Sequence, residues 1–255
     1  MSTLNRVQLT EYLDRYLAAH EGRDYGPNGL QVEGRDGVSR VALGVTASLA
    51  FIEQAVAWNA DVAIVHHGLF WRGAGELRVE RSLRARLKAL LSNDLTLLAY
   101  HLPLDRHPEV GNNAVLARRL GATQLEPAFS YEGLPVGVIA RFDASLPVRE
   151  LVQRIADVTA REPLTIAAGP EQVQRIGIVT GGAANLVQDA ARMGLELFLT
   201  GEPSEPAVHI AREERIHFVA AGHHATETFG VQAVGEHLAQ RFGIEARFID
   251  VPNPV

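Results

Sequence analysis

The chain has 255 residues, 47% hydrophobic and 21% charged, enough to bury one large core or two ordinary ones and too apolar for a disordered segment. Its formal charge of -6 gives the surface no field that would attract a polyanion, so nucleic acid is not an expected partner, and the lack of cysteine excludes disulfides, thiolate nucleophiles and sulfur-ligated zinc. No apolar run approaches the roughly 20 residues of a spanning helix, and Met1 to Arg6 lacks the basic-then-apolar form of a secretion signal, so the expected address is cytoplasmic, with no membrane partner.

Leu9, Leu13 and Tyr16/Leu17 recur at helical spacing and predict an opening helix from about Leu4 to Ala19, broken by Gly22. Turns follow at Asp24 to Val32, forced by Gly26-Pro27 and Asn28-Gly29. The pattern then predicts a strand over 40–46, a helix over 48–58, a strand over 61–65, a helix over 80–92, a strand over 95–100 and a helix over 112–121. Leucines within the basic stretch Arg81 to Lys88 mark it as one solvated face of a helix.

The passage from Pro127 to Pro135 is turn-rich and reads as a domain boundary. Beyond it come a strand over 136–141, a helix opening at Pro147, strands over 164–168 and 175–180, a helix over 183–193, a strand over 196–200, a helix over 204–214 and a strand over 216–221. A last helix over 229–241 and a strand over 246–251 rejoin the first half. The expectation is an α/β protein of two related domains, 1–126 plus 223–255 and 127–222, the first carrying most of the metal ligands and a metal cleft lying between the two.

The chain also matches itself. An offset of 135 residues aligns Arg40 to Val45 with Arg175 to Thr180 and Asp61 to Val65 with Glu196 to Thr200, and an offset of 122 places His101 and Asp105 on His223 and Glu227. Three expected strand ends therefore carry donors: His66-His67, His101 with Asp105, and His223 with Glu227. A four-residue spacing puts both side chains on one side of the chain, whereas adjacent histidines diverge and would more naturally serve two ions.

With no sulfur available, any metal must be held by imidazole and carboxylate. His66, His67, His223, Asp105 and Glu227 are too many donors for one tetrahedral ion, but they suit two divalent cations roughly 3.5–4 Å apart that share a carboxylate. Zinc, manganese, iron and magnesium all fit such a donor set. The two cations outweigh the two carboxylates in charge, so the expected ligand is a small anionic, phosphate-bearing substrate. His101 is a candidate base beside the ligands and His224 a neighbour. His20, His107, His209, His217 and His237 lack such company and read as surface or satisfied residues.

Nucleophile-elbow and phosphate-loop signatures are absent. Gly181-Gly182 reads as a tight turn, and Glu202 and Glu205 either border the cleft or open a helix.

Ile64 to Gly68, His101 to Asp105 with Gly111-Asn112-Asn113, and Gly222 to Glu227 resemble, in order and spacing, the signatures of the Nif-three-like family of dinuclear-metal hexameric proteins, often labelled GTP cyclohydrolase I type 2 homologues. The likeness runs from Asn28-Gly29-Leu30 to Phe248-Ile249-Asp250-Val251-Pro252. It implies two α/β domains, two divalent metals per chain held by His66, His67, Asp105, His223 and Glu227 with Glu227 bridging, and a homohexamer built as a dimer of trimers. A metal-dependent hydrolase acting on a phosphorylated or nucleotide-like compound is the leading expectation. Its rival is a non-catalytic metal-binding scaffold or regulator associated with DNA, a partner that the negative charge disfavours.

Overall fold

The computed structural model describes residues 4–73 and 75–255. In chain order the helices and strands are α1 (Arg6–Tyr16), β1 (Gly29–Val32), β2 (Arg40–Thr46), α2 (Leu49–Ala57), β3 (Val62–His67), α3 (Arg81–Leu91), β4 (Thr96–Ala99), α4 (Leu102–Arg106) and α5 (Asn112–Arg119). They continue as β5 (Gln124–Tyr131), β6 (Leu134–Pro147), α6 (Val148–Thr159), β7 (Leu164–Ile166), β8 (Gln172–Ile178), α7 (Val187–Arg192), β9 (Leu197–Thr200), α8 (Glu205–Glu214), β10 (His217–Ala220), α9 (His223–Phe242) and β11 (Glu245–Phe248). Among the described residues, no helix is long and apolar enough to cross a membrane.

Two compact units result, residues 1–104 with 230–251 and residues 105–229 with 252–255. The first holds a five-stranded sheet of order β1-β4-β3-β2-β11, parallel except for β1 at its edge. Its parallel strands β2, β3 and β4 are continuously apolar, as burial on both faces requires. Helix α2 shows how sequence sets the local form: Ser48 accepts a hydrogen bond from the Phe51 amide at the helix start, and Phe51, Ile52 and Ala55 turn one stripe into the core. That core gathers Ala42, Ala63, Val65, Leu90 and Leu97 around them.

The second unit holds a six-stranded sheet of order β5-β6-β8-β9-β10-β7 in which β8, β9 and β10 are parallel. Leu151 and Ile155 of α6 are fully buried one turn apart against Ile176, Ile178 and Leu197. Register in the two sheets follows one numbering rule. Val41↔Val62, Ala42↔Ala63 and Leu43↔Ile64 in the first are matched, 135 residues on in both strands, by Ile176↔Leu197, Gly177↔Phe198 and Ile178↔Leu199 in the second. For the third strand the offset is 121 rather than 122, since Ala63 pairs with Leu97 and Phe198 with Phe218.

Several expectations are corrected. The Pro127 to Pro135 passage is a β-hairpin joining β5 to β6, not a linker. Glu132 and Gly133 at its tip both have positive φ (50° and 85°), which suits a two-residue hairpin turn, and Pro127 is tolerated because β5 is an edge strand. This hairpin belongs to the second sheet, in the compact unit of residues 105–229 with 252–255. The Asp24 to Val32 passage contains strand β1 in addition to its turns, and α9 starts at His223 instead of 229.

Phe51 is 1% exposed and sits among the residues that close the first core. Replacing it with alanine is expected to cost about 3–5 kcal/mol, read as a lowered urea midpoint with an unchanged slope.

Candidate metal centre

In the first unit, β3 runs out of sheet at His67, and its last two residues do not diverge as adjacent strand residues would. The rings of His66 and His67 lie 4.7 Å apart, and His101, just beyond β4, lies 4.9 and 5.6 Å from them. One ring nitrogen from each of the three falls within 4.8 Å of the other two, so the group could hold a metal ion.

The opposite ring nitrogens are anchored. His66 Nδ1 donates to the Tyr100 carbonyl (3.0 Å), His101 Nδ1 donates to the Asp24 carboxylate (2.7 Å), and His67 Nδ1 lies 3.2 Å from the Thr46 hydroxyl. Such outer partners fix the tautomer and aim the other nitrogen at a cation. The Tyr100 hydroxyl in turn donates to Asp14 (2.8 Å), holding the residue whose carbonyl orients His66.

Asp24 is buried and accepts from the Tyr25 and Leu102 amides and from Asn28 as well as from His101. Burial raises its pKa, but His101, Asn28 and the Tyr25 amide together bring it below the ordinary aspartate value, so it stays ionised. Trp71 and Tyr25 meet His101 edge to face, at 5.2 and 5.8 Å.

In the second unit, His223 and Glu227 are one helical turn apart at the start of α9, with His223 Nε2 3.1 Å from Glu227 Oε1. Gly222, at φ +93°, makes the turn that lets the helix begin there. A carboxylate oxygen of Asp105 lies within 4.8 Å of one of Glu227. Asp105 Oδ1 accepts from Asn112 Nδ2 (2.8 Å) and Thr180 Oγ1 (3.3 Å), while Asn113 Nδ2 donates to the Asp105 and Val136 carbonyls and its Oδ1 accepts the Thr180 amide. Both asparagines are fully buried.

Gly181 completes this side. At φ +71° it is in a conformation that L side chains avoid, and a Cβ there would stand 2.3 Å from Glu227 Oε1. The space in front of the carboxylate thus exists only because residue 181 has no side chain.

Glu202 is the member that sequence reading left undecided. Its carboxylate accepts from His223 Nδ1 at 2.5 Å, the same anchoring that Asp24 gives His101. The signal was present, since Glu202 stands 135 residues after His67. Glu205 is instead exposed and paired with His209. Burial lowers the His223 pKa, but Glu227 and then Glu202 more than reverse this, bringing it from 6.5 to about 9.

The remaining histidines are satisfied elsewhere. His217 lies 2.7 Å from the Pro170 carbonyl, His237 pairs with Tyr12, His20 with Asp14, and His107 accepts the Glu109 and Val110 amides.

A family model described as Duf34/NIF3 (NGG1p interacting factor 3) matches residues 4–254. The chain belongs to the Duf34/NIF3 family. It is 50% identical over 251 residues to a Pseudomonas aeruginosa member called GTP cyclohydrolase 1 type 2 homolog, covering 96% of this chain and 97% of that one. The solved structure of protein ybgI, described as of unknown function, shares 43% identity at a TM-score of 0.93, covering 98% of this chain and 100% of the other. TTHA1606 from Thermus thermophilus shares 37% identity at a TM-score of 0.89 with the same coverage. The Duf34/NIF3 fold is thereby shown along the whole chain.

Two outcomes follow from the anchoring. Because His223 binds its proton more tightly folded than unfolded, its contribution to stability is complete below pH 6.5 and lost as pH rises through about 9. Metal-free protein should therefore lose stability over that window, and His223→Gln should flatten the profile of urea midpoint against pH. Glu202→Gln should weaken divalent-metal affinity about 10–100-fold by competition titration while leaving the fold intact.

Proposed function

We propose that this Duf34/NIF3 protein binds two divalent cations per chain through His66, His67, Asp105, His223 and Glu227 and uses them to hydrolyse a small phosphorylated or nucleotide-like compound. The observation that carries the reading is the donor chemistry: imidazoles whose far nitrogens are tied to oxygen acceptors, and buried carboxylates that Asn112, Thr180 and the gap at Gly181 hold in place. Sulfur-free sets of this kind suit zinc, iron or manganese.

When bound, divalent cations polarise a phosphoryl or carbonyl oxygen and lower the pKa of water. The chain's own residues do the rest. Glu227 and Asp105 supply the negative charge that retains the cations. Glu202 holds the His223 ring by its Nδ1 proton, and Asn112 keeps the Asp105 carboxylate from rotating. His101, its Nδ1 proton held by Asp24, is suited to accept a proton at Nε2. Two doubly charged ions against two carboxylates leave a net positive site, which favours an anionic substrate although the protein as a whole is acidic.

The name borne by the Pseudomonas relative agrees with a nucleotide-like substrate. Family membership supports a homohexamer, a dimer of trimers, and a cytoplasmic setting.

Elemental analysis of protein purified without chelator should find close to two divalent ions per chain. A screen of nucleotides and phosphoesters should give metal-dependent turnover that Asp105→Asn abolishes. Less than one ion per chain would end the metal reading; full metal with no turnover across the screen would turn it towards a scaffold.

A further inference from the structure

We infer that Trp71 and Tyr25 form a subsite for a nucleobase, so that the compound acted on is a nucleotide and not a sugar phosphate or another ring-free phosphoester. The inference rests on the reading that the chain binds divalent cations at the histidines beside these rings, and narrows the substrate class left open there.

Large apolar surface is usually drawn inside, yet Tyr25 and Trp71 are 47% and 37% exposed. Scattered singly, such residues call for no explanation; here the two meet the same imidazole. The ring centroids of Trp71 and Tyr25 stand 5.2 and 5.8 Å from that of His101, at 84° and 67°, and Trp71 is 5.8 Å from His67 at 55°. None of these contacts is a flat stack, which is the arrangement a planar ligand ring would make. Trp71 has one polar atom in its side chain, Nε1, and that atom donates to the Gly68 carbonyl (3.2 Å). What the indole has left to offer a ligand is π surface.

The rings are also held before any ligand arrives. Two loops carry them, 24–28 ahead of β1 and 68–72 after β3, and hydrogen bonds tie the loops together. The Arg72 amide donates to the Tyr25 carbonyl (2.6 Å), while the Gln31 side chain accepts from the Leu69 amide (2.7 Å) and donates to the Pro27 carbonyl (3.0 Å). The two backbones touch at Gly26, where a Cβ would stand 2.4 Å from the Phe70 carbonyl oxygen. Asn28 links the first loop to the end of β4 by accepting the His101 amide (2.8 Å). A platform fixed in this way gives up little conformational freedom on binding. Stacking on it accepts any base, and the adjoining histidines put the cations within the span of one ribose phosphate, so the base and phosphate of a single nucleotide are held at once.

The test uses full-length, metal-loaded protein carrying Trp58→Phe, which leaves Trp71 as its one tryptophan. The probes are the 5′-phosphonate analogues of AMP and GMP, which have no phosphoester bond to cleave, and the matching ribose phosphonate. Both base-bearing probes should quench Trp71 emission saturably and, by calorimetry, bind about tenfold or more tighter than the ribose compound. Trp71→Ala should erase that margin and leave the affinity for the ribose compound unchanged, whereas Trp71→Phe should keep most of it. Elemental analysis accompanies each titration, and urea midpoints confirm that each variant is folded. If metal-loaded protein binds base-bearing and base-free probes equally, or if Trp71→Ala weakens both by the same factor, this inference fails while the metal reading stands. If the protein holds no metal, the metal reading falls first and this one with it.

Discussion

The site depends on where the imidazole protons are placed. Imidazole offers one donor and one acceptor nitrogen in its neutral form, so a ring can face a cation only if something else takes the proton on its far side. In the first unit that role falls to the Tyr100 carbonyl for His66 and the buried Asp24 carboxylate for His101, and the Thr46 hydroxyl stands 3.2 Å from His67 Nδ1. Each comes from a sheet position or a tight loop whose location the parallel register fixes. Val65 pairs with Ala99 and Thr46 with His67, which brings the Tyr100 carbonyl and the Thr46 hydroxyl to the ends of the strands where the histidines lie.

The second unit faces the opposite electrostatic difficulty. Asp105 and Glu227 are both buried and their oxygens approach within 4.8 Å, an arrangement costly to maintain as two bare anions. The chain answers with neutral donors on Asp105, from Asn112 and Thr180, and with a His223 that keeps its proton well above the ordinary range. A divalent cation held by Glu227 and the His223 ring would compete with that proton, and its uptake would release it.

Much of this was legible in the sequence because it followed from spacing and period. The alternation of strands and helices, the identity of the histidines with company, and the 135-residue offset all come from patterns that burial imposes. What was not legible depended on tertiary partners. Asp24 looked like a turn residue because its acceptors are spent on Leu102 and His101, 78 and 77 positions away. The Pro127 to Pro135 passage looked like a linker because turn residues and prolines have the same appearance in an edge hairpin. The match of His101 and Asp105 to His223 and Glu227 at 122 residues differs by one position from the strands before them, which correspond at 121. His101 precedes its helix by one residue, while His223 is the first residue of its own.

Strand β11 pairs with β2, so the sheet begun near residue 29 receives its last strand only at Glu245–Phe248. The six-stranded sheet, by contrast, draws all its strands from 124–220. During synthesis from the N-terminus, the sheet started first is the last to be completed, and β2 waits with one edge bare while the ribosome delivers some two hundred further residues. The strands of the six-stranded sheet are all made before that last strand exists.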